Sequence, residues 1–190
     1  MNQAQEDRIK EIRREFFAFR NGIVADTLRK AGDPHVMVMG CLLTDLMGIA
    51  RRTREAIGDD DEALIALARA LWEDDKSREC RLTAPMLYPA PLMTHDTALQ
   101  WCAAVETAEV ADNLCHKLLR HRPDADTLFR QLIVDDRALV KYTGYRLLLN
   151  RLLMGKVPPS ASLRAIVEHE AAQAQAPLKN LLKDILEELD

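Results

Sequence analysis

The chain has 190 residues, enough for one domain with a sizeable core. Its 48% hydrophobic and 29% charged residues describe a globular protein, while 5% aromatic content and only seven glycines exclude an all-β plan rich in strands and tight turns. A net charge of −4 excludes a global attraction to nucleic acid or to an anionic membrane, so any such affinity has to come from a local patch.

The opening MNQAQEDRIKEIRR is polar and carries no apolar leader, which predicts a cytoplasmic protein. From Gln3 to Arg20 the apolar residues Ile9, Ile12, Phe16 and Phe19 recur at helical spacing, and Asn21-Gly22 stops the run. A second short helix fits IVADTLRKAG, ending at Gly32. After the loop DPHVMVMG, helical patterning returns in CLLTDLMGIARRTR and DDDEALIALARALWED, where the aspartates serve as N-terminal caps and dipole partners. Seven more helical segments follow, from SRECRLTAPMLY to APLKNLLKDILEEL, separated by prolines and caps. No apolar run approaches the ~20 residues that would span a bilayer, so no membrane partner is expected.

These segments fall into pairs, and the second helices of three pairs begin near Ser77, Thr107 and Asp136, about thirty residues apart. That spacing predicts an all-α fold built as a helical repeat, a single domain over residues 1–190. An irregular helical bundle is the alternative. The segment from Arg137 to Met154 has leucine on nearly every side, as suits a helix packed between neighbours on two flanks. Its polar stripe is Arg137, Lys141, Gly144 and Arg151.

Charge is unevenly placed. Acid gathers between residues 55 and 75 and at the closing ILEELD, whereas between Cys115 and Lys156 nine lysines and arginines face only Asp124, Asp126, Asp135 and Asp136. Four cysteines are scattered with no CxxC pair, and Cys115 points about 100° away from His116 around a helix. Neither a metal site nor a nucleophile with its base is expected, nor any cofactor.

In the segment 107–121, TAEVADNLCHKLLRH, the residues Glu109, Asp112, Asn113, His116 and Arg120 fall along one side of a helix. Asp112 has His116 one turn on, so a weak surface pair is its ordinary role; a ligand-facing carboxylate is the other. Glu109 is a first-turn carboxylate favoured by the helix dipole.

Leu71-Trp72 followed by Arg78-Glu79-Cys80, the segment AEVADNL at 108–114 and the basic-apolar helix RALVKYTGYRLL at 137–148 together resemble the DNA alkylation repair glycosylases of the AlkC and AlkD type. The opening EIRREFFAFRNGIVADTLRKAG is similar to small relatives of that family. The resemblance implies HEAT-like helix pairs stacked into a curved superhelix that cradles duplex DNA on a basic face, without metal or cofactor. It implies that Asp112 is the catalytic carboxylate, stabilising positive charge on the sugar while a cationic 3- or 7-alkylpurine leaves. It further implies that Lys141 contacts a phosphate. The basic middle of the chain and the polar stripe of residues 137–154 add Lys117, Arg137 and Arg151 as expected DNA-binding cations, with Gly144 on that stripe allowing close backbone approach. The family's tryptophan four residues before the aspartate is replaced here by Ala108, and the last helix carries no aromatic residue; Trp101 is expected to fill core. A non-catalytic nucleic-acid-binding module and a protein-binding helical scaffold are the alternative functions.

Overall fold

The periodicity of the opening becomes α1 (Gln3–Ala18), which buries Ile9, Ile12 and Phe16 and leaves its charged side to water. Asn21 then separates it from α2 (Gly22–Lys30), its side chain accepting from the Val24 N–H at 3.2 Å. The structure, a computed structural model, describes residues 3–190; Met1 and Asn2 of the polar opening lie outside it. Two compact units divide the chain, Met1–Leu92 and Met93–Asp190. The described residues contain eleven α-helices and no strand.

In the first unit α3 (Leu43–Ile57), α4 (Asp61–Trp72) and α5 (Arg78–Leu87) follow. Asp60 caps α4 by accepting from the Ala63 N–H at 2.9 Å, and Ser77 caps α5 through the Cys80 N–H. Most of α5 is buried, including Arg78 and Glu79, at 4% and 0% exposure. The Glu79 carboxylate collects the backbone N–H groups of Met39, Gly40 and Cys41 at 3.2, 3.0 and 3.4 Å, and Arg78 donates to it at 3.0 Å. A buried charge is tolerable only when paired and hydrogen-bonded in this way. Gly40 makes the bend possible: its φ is +75°, and a Cβ there would stand 2.6 Å from the Ala25 nitrogen. Trp72 is buried at 4% exposure beneath the Arg81 guanidinium, 4.6 Å from the ring centre. The Leu71-Trp72 and Arg78-Glu79-Cys80 motifs are thus packing devices at the α4–α5 junction.

The second unit holds α6 (His95–Ala103), α7 (Ala108–Lys117), a single 3-10 turn (Leu119–His121), α8 (Ala125–Leu132), α9 (Ala138–Leu153), α10 (Ala161–Ala171) and α11 (Leu178–Glu188). Thr94, Thr107 and Ser160 cap α6, α7 and α10 with their hydroxyls. The start of α6 is tied to α8 through His95, whose Nδ1 lies 2.6 Å from Asp124 Oδ2 and whose Nε2 lies 2.7 Å from Gln131 Oε1. Arg122 completes this knot by donating to Asp124 at 2.8 Å and to the Met93 carbonyl.

The expected spacing holds: α5, α7 and α9 begin at residues 78, 108 and 138, so each starts thirty residues after the last. Helix α9 contacts α7, α8 and α11 and buries ten of its residues, as a member flanked on both sides must. Trp101 is core at 4% exposure. All four cysteines are buried and free, and burial pushes the Cys41 and Cys102 thiols up to about 12 and Cys80 up to about 11, far from the reactive thiolate range. No helix is long and apolar enough to cross a membrane, and no group of three or more potential ligands that could hold a metal ion occurs among the described residues.

Candidate functional site

Helix α7 starts at Ala108 because Thr107 accepts from the Val110 N–H, and it ends at Lys117, where Leu118 leaves helical geometry. Four of its residues, Val110, Ala111, Leu114 and Cys115, are fully packed against the core, which turns Asp112 toward α9 at the edge of the packed layer. The carboxylate is 40% exposed. Its Oδ1 accepts from the Tyr142 hydroxyl at 2.9 Å and lies 3.3 Å from Arg146 Nε, while Oδ2 has no partner among the described residues. One oxygen is held and the other is open.

The electrostatics of this group of three follow from its half-buried position. Burial raises the Asp112 pKa above the ordinary carboxylate range; the Arg146 charge and the Tyr142 hydrogen bond oppose that rise without cancelling it. Tyr142 is pushed well above its usual range by burial and by the Asp112 charge, so it remains a hydrogen-bond donor. Beside it opens a cavity of about 350 Å³ lined by Asp136, Leu139, Lys141, Tyr142, Glu170 and Pro177. Tyr142 thus joins the carboxylate to a concave surface.

The surface pair expected between Asp112 and His116 does not form. Helix α7 is one turn shorter than the segment 107–121 predicts, and Arg120 sits in the following 3-10 turn, where its Nη1 lies 3.1 Å from His116 Nδ1 and its Nε donates to His121 Nε2 at 3.1 Å. Asn113 is buried at 5% exposure rather than part of a solvent stripe. Lys117 lies in the last turn of α7, where a cation suits the helix dipole; burial and the Arg120 charge lower its pKa.

The other expected DNA-binding cations occupy the opposite side of α9 from Arg146. At 3.6 residues per turn, Leu139, Arg146 and Leu153 share one side, and Arg137, Lys141, Gly144 and Arg151 lie half a turn away. Each of these three cations has a carboxylate partner. Arg137 grips Asp135 through two hydrogen bonds of 2.9 and 2.8 Å and holds its carboxyl down to about 2. Lys141 reaches Glu170 at 3.2 Å, and Arg151 reaches Asp126 at 2.8 and 3.1 Å. Gly144 is a correction: a Cβ there would lie 2.8 Å from Leu132 Cβ and 2.9 Å from the Ile133 nitrogen, so the close approach it permits is to the end of α8 and not to a ligand.

The expected site residue Asp112 meets two residues of α9 that the sequence pattern did not single out, Tyr142 and Arg146, one helical turn apart. That i, i+4 spacing was the available signal. Ala108, one turn before Asp112, leaves the flank of the carboxylate without an aromatic wall, and α11 supplies none.

The profile of a family described as DNA alkylation repair enzyme matches residues 12–156 of the chain. That match spans α2 to α9 and includes Asp112, Tyr142 and Arg146. Nothing among the curated proteins or the solved structures matches it.

Proposed function

The chain belongs to the DNA alkylation repair enzyme family, and on that footing we propose that it binds duplex DNA and excises cationic 3- or 7-alkylpurines as an N-glycosylase. The observation that carries this reading is the Asp112 carboxylate, anchored on one oxygen by Tyr142 and Arg146 and open on the other. An N-alkylated purine is already positively charged and departs without a general acid, leaving an oxocarbenium-like sugar. A fixed carboxylate at that sugar stabilises the charge that develops in the transition state. No second acid and no metal is needed. Arg146 then has two tasks: it orients Asp112, and it brings a cation to the edge of the site, where a flanking phosphate would pass. Lys141 and Arg151 would first have to leave Glu170 and Asp126 to reach a phosphate.

The test is release of 3- and 7-methylpurines from methylated duplex DNA by the purified protein. Asp112→Asn is expected to abolish release while binding undamaged duplex more tightly, because a carboxylate in a phosphate-lined site repels DNA in the ground state and is useful only where positive charge develops. Release that survives in the asparagine variant would remove Asp112 from the chemistry. A second reading, a binding module without chemistry, is favoured by Ala108 and by the absence of an aromatic residue on α11. Binding without release by the wild type would establish that reading instead.

A further inference from the structure

A guanidinium on a protein surface is usually matched by a carboxylate; the one at Arg120 is matched by two imidazoles. Its Nη1 lies 3.1 Å from His116 Nδ1 and its Nε donates to His121 Nε2 at 3.1 Å, and among the described residues no carboxylate pairs with Arg120, His116 or His121. The backbone beneath is fixed, since the Arg120 carbonyl accepts from Arg151 Nη1 at 3.3 Å while Arg151 is gripped by Asp126. Each imidazole can accept from Arg120 only while it is neutral. The cluster is therefore a cation wedged between two proton-accepting rings, one turn beyond Asp112.

We infer that the His116–Arg120–His121 cluster is a clamp for a backbone phosphodiester of the DNA, and that it takes up protons as it closes on the phosphate. This rests on the reading of the Asp112 face as the DNA-facing one. A phosphate arriving at Arg120 takes over its N–H donors, and the rings, no longer required to accept, gain protons and donate to the anion. No covalent bond changes; up to two protons enter from solvent and the phosphate's counterions leave.

The surroundings favour this exchange. In the free protein burial lowers the pKa of both histidines, and the Arg120 charge lowers each further, with Lys117, Arg146 and His121 acting on His116 in the same sense. The acids nearest in sequence on α7 and α8 are themselves held: Asp112 on one oxygen by Tyr142 and Arg146, and Asp126 by Arg151. A phosphate is the charge that this like-signed group lacks, and its arrival reverses the depression of both rings.

The experiment is a duplex-binding titration at about pH 6 and about pH 8 across a salt series, with wild type and the His116→Gln, His121→Gln double variant. Wild-type affinity should rise at least tenfold on going to the lower pH, since each proton taken up contributes up to tenfold per pH unit. The salt slope should steepen by about 0.9 for each ring that becomes cationic. In the double variant both effects should vanish. A pH dependence that survives in the variant, or is absent from the wild type, overturns the inference while leaving the Asp112 reading untouched. No binding at low salt at either pH overturns both. A check free of substitutions is the imidazole titration of the wild type by NMR. The His116 and His121 pKa values should rise on adding duplex, and that of His95 should not; an equal shift in all three would overturn the clamp.

Discussion

Substituting Gly144 by alanine separates two opposite accounts of α9. On an open helix face, Gly→Ala stabilises by about 1 kcal/mol because glycine loses more backbone freedom in a helix. Against α8 the added methyl would meet Leu132 Cβ at 2.8 Å, the Ile133 nitrogen at 2.9 Å and Ile133 Cγ2 at 3.0 Å. Two of those atoms are close to or part of the backbone, at the C-terminal end of α8, and cannot swing aside as the tip of a long side chain would. Overpacking of this kind typically costs about 1 to 3 kcal/mol. Contacts this short with atoms that cannot move aside place the cost in the upper part of that range, about 2 to 3 kcal/mol, and subtracting the propensity gain of about 1 kcal/mol leaves a net loss of about 1 to 2 kcal/mol, or a fall in Tm of roughly 2–4 °C per kcal/mol for a chain of this size. Urea denaturation of the two proteins measures it, with the midpoint lowered and the slope unchanged. Unchanged or higher stability would refute the packing argument and return Gly144 to a solvent-facing or ligand-facing role. If the proposed DNA binding holds, affinity measured on the folded fraction should be the same for both proteins, because the atoms nearest the glycine belong to Leu132 and Ile133 at the end of α8.

Glu79→Gln should destabilise the first unit by about 3 to 5 kcal/mol, since it leaves Arg78 buried beside three N–H groups without their anion; a loss below about 1 kcal/mol in chemical denaturation would show that the cradle is dispensable. His95 predicts a pH trend. Asp124, then Gln131, raise its pKa in the folded state, so its stabilising contribution is complete below the unfolded value near 6.5 and is lost as pH rises through the folded pKa. The stability difference between wild type and His95→Gln, followed from pH 6 to pH 9, should therefore shrink with rising pH, and a constant difference would count against the ion pair with Asp124.

What was legible in the sequence was what local chemistry determines. Asn21, Asp60, Ser77 and Thr107 are caps because their short side chains reach the N–H three residues on, and Ser77 and Thr107 mark two of the helix starts in the thirty-residue repeat. The direction in which α9 faces was not legible. A helix that is apolar nearly all round has no preferred outer side, and a stripe of cations looks like one. The carboxylates that draw Lys141 and Arg151 inward lie 29 and 25 residues away on α10 and α8, and no local pattern announces them. Arg146, alone among leucines, looked incidental for the same reason; only the packing of α7 against α9 brings it to Asp112. Arg120 leaves the expected stripe because α7 ends at Lys117, one turn early, where Leu118 departs from helical geometry and both Leu118 and Leu119 are buried.

The Glu79 cradle also bears on how the protein is made. The amides it gathers precede it in the chain by 40, 39 and 38 residues. A ribosome releases Met39, Gly40 and Cys41 well before the carboxylate that satisfies them. Until residue 79 has cleared the exit tunnel and α5 has docked, the loop has no reason to hold its bend, and Phe16, Val38 and Cys41, all buried in the finished protein, remain accessible to a chaperone. The cradle thus closes only when residues 39 to 41 and residue 79 are present together, so the burial of this loop waits on a residue made about forty positions later.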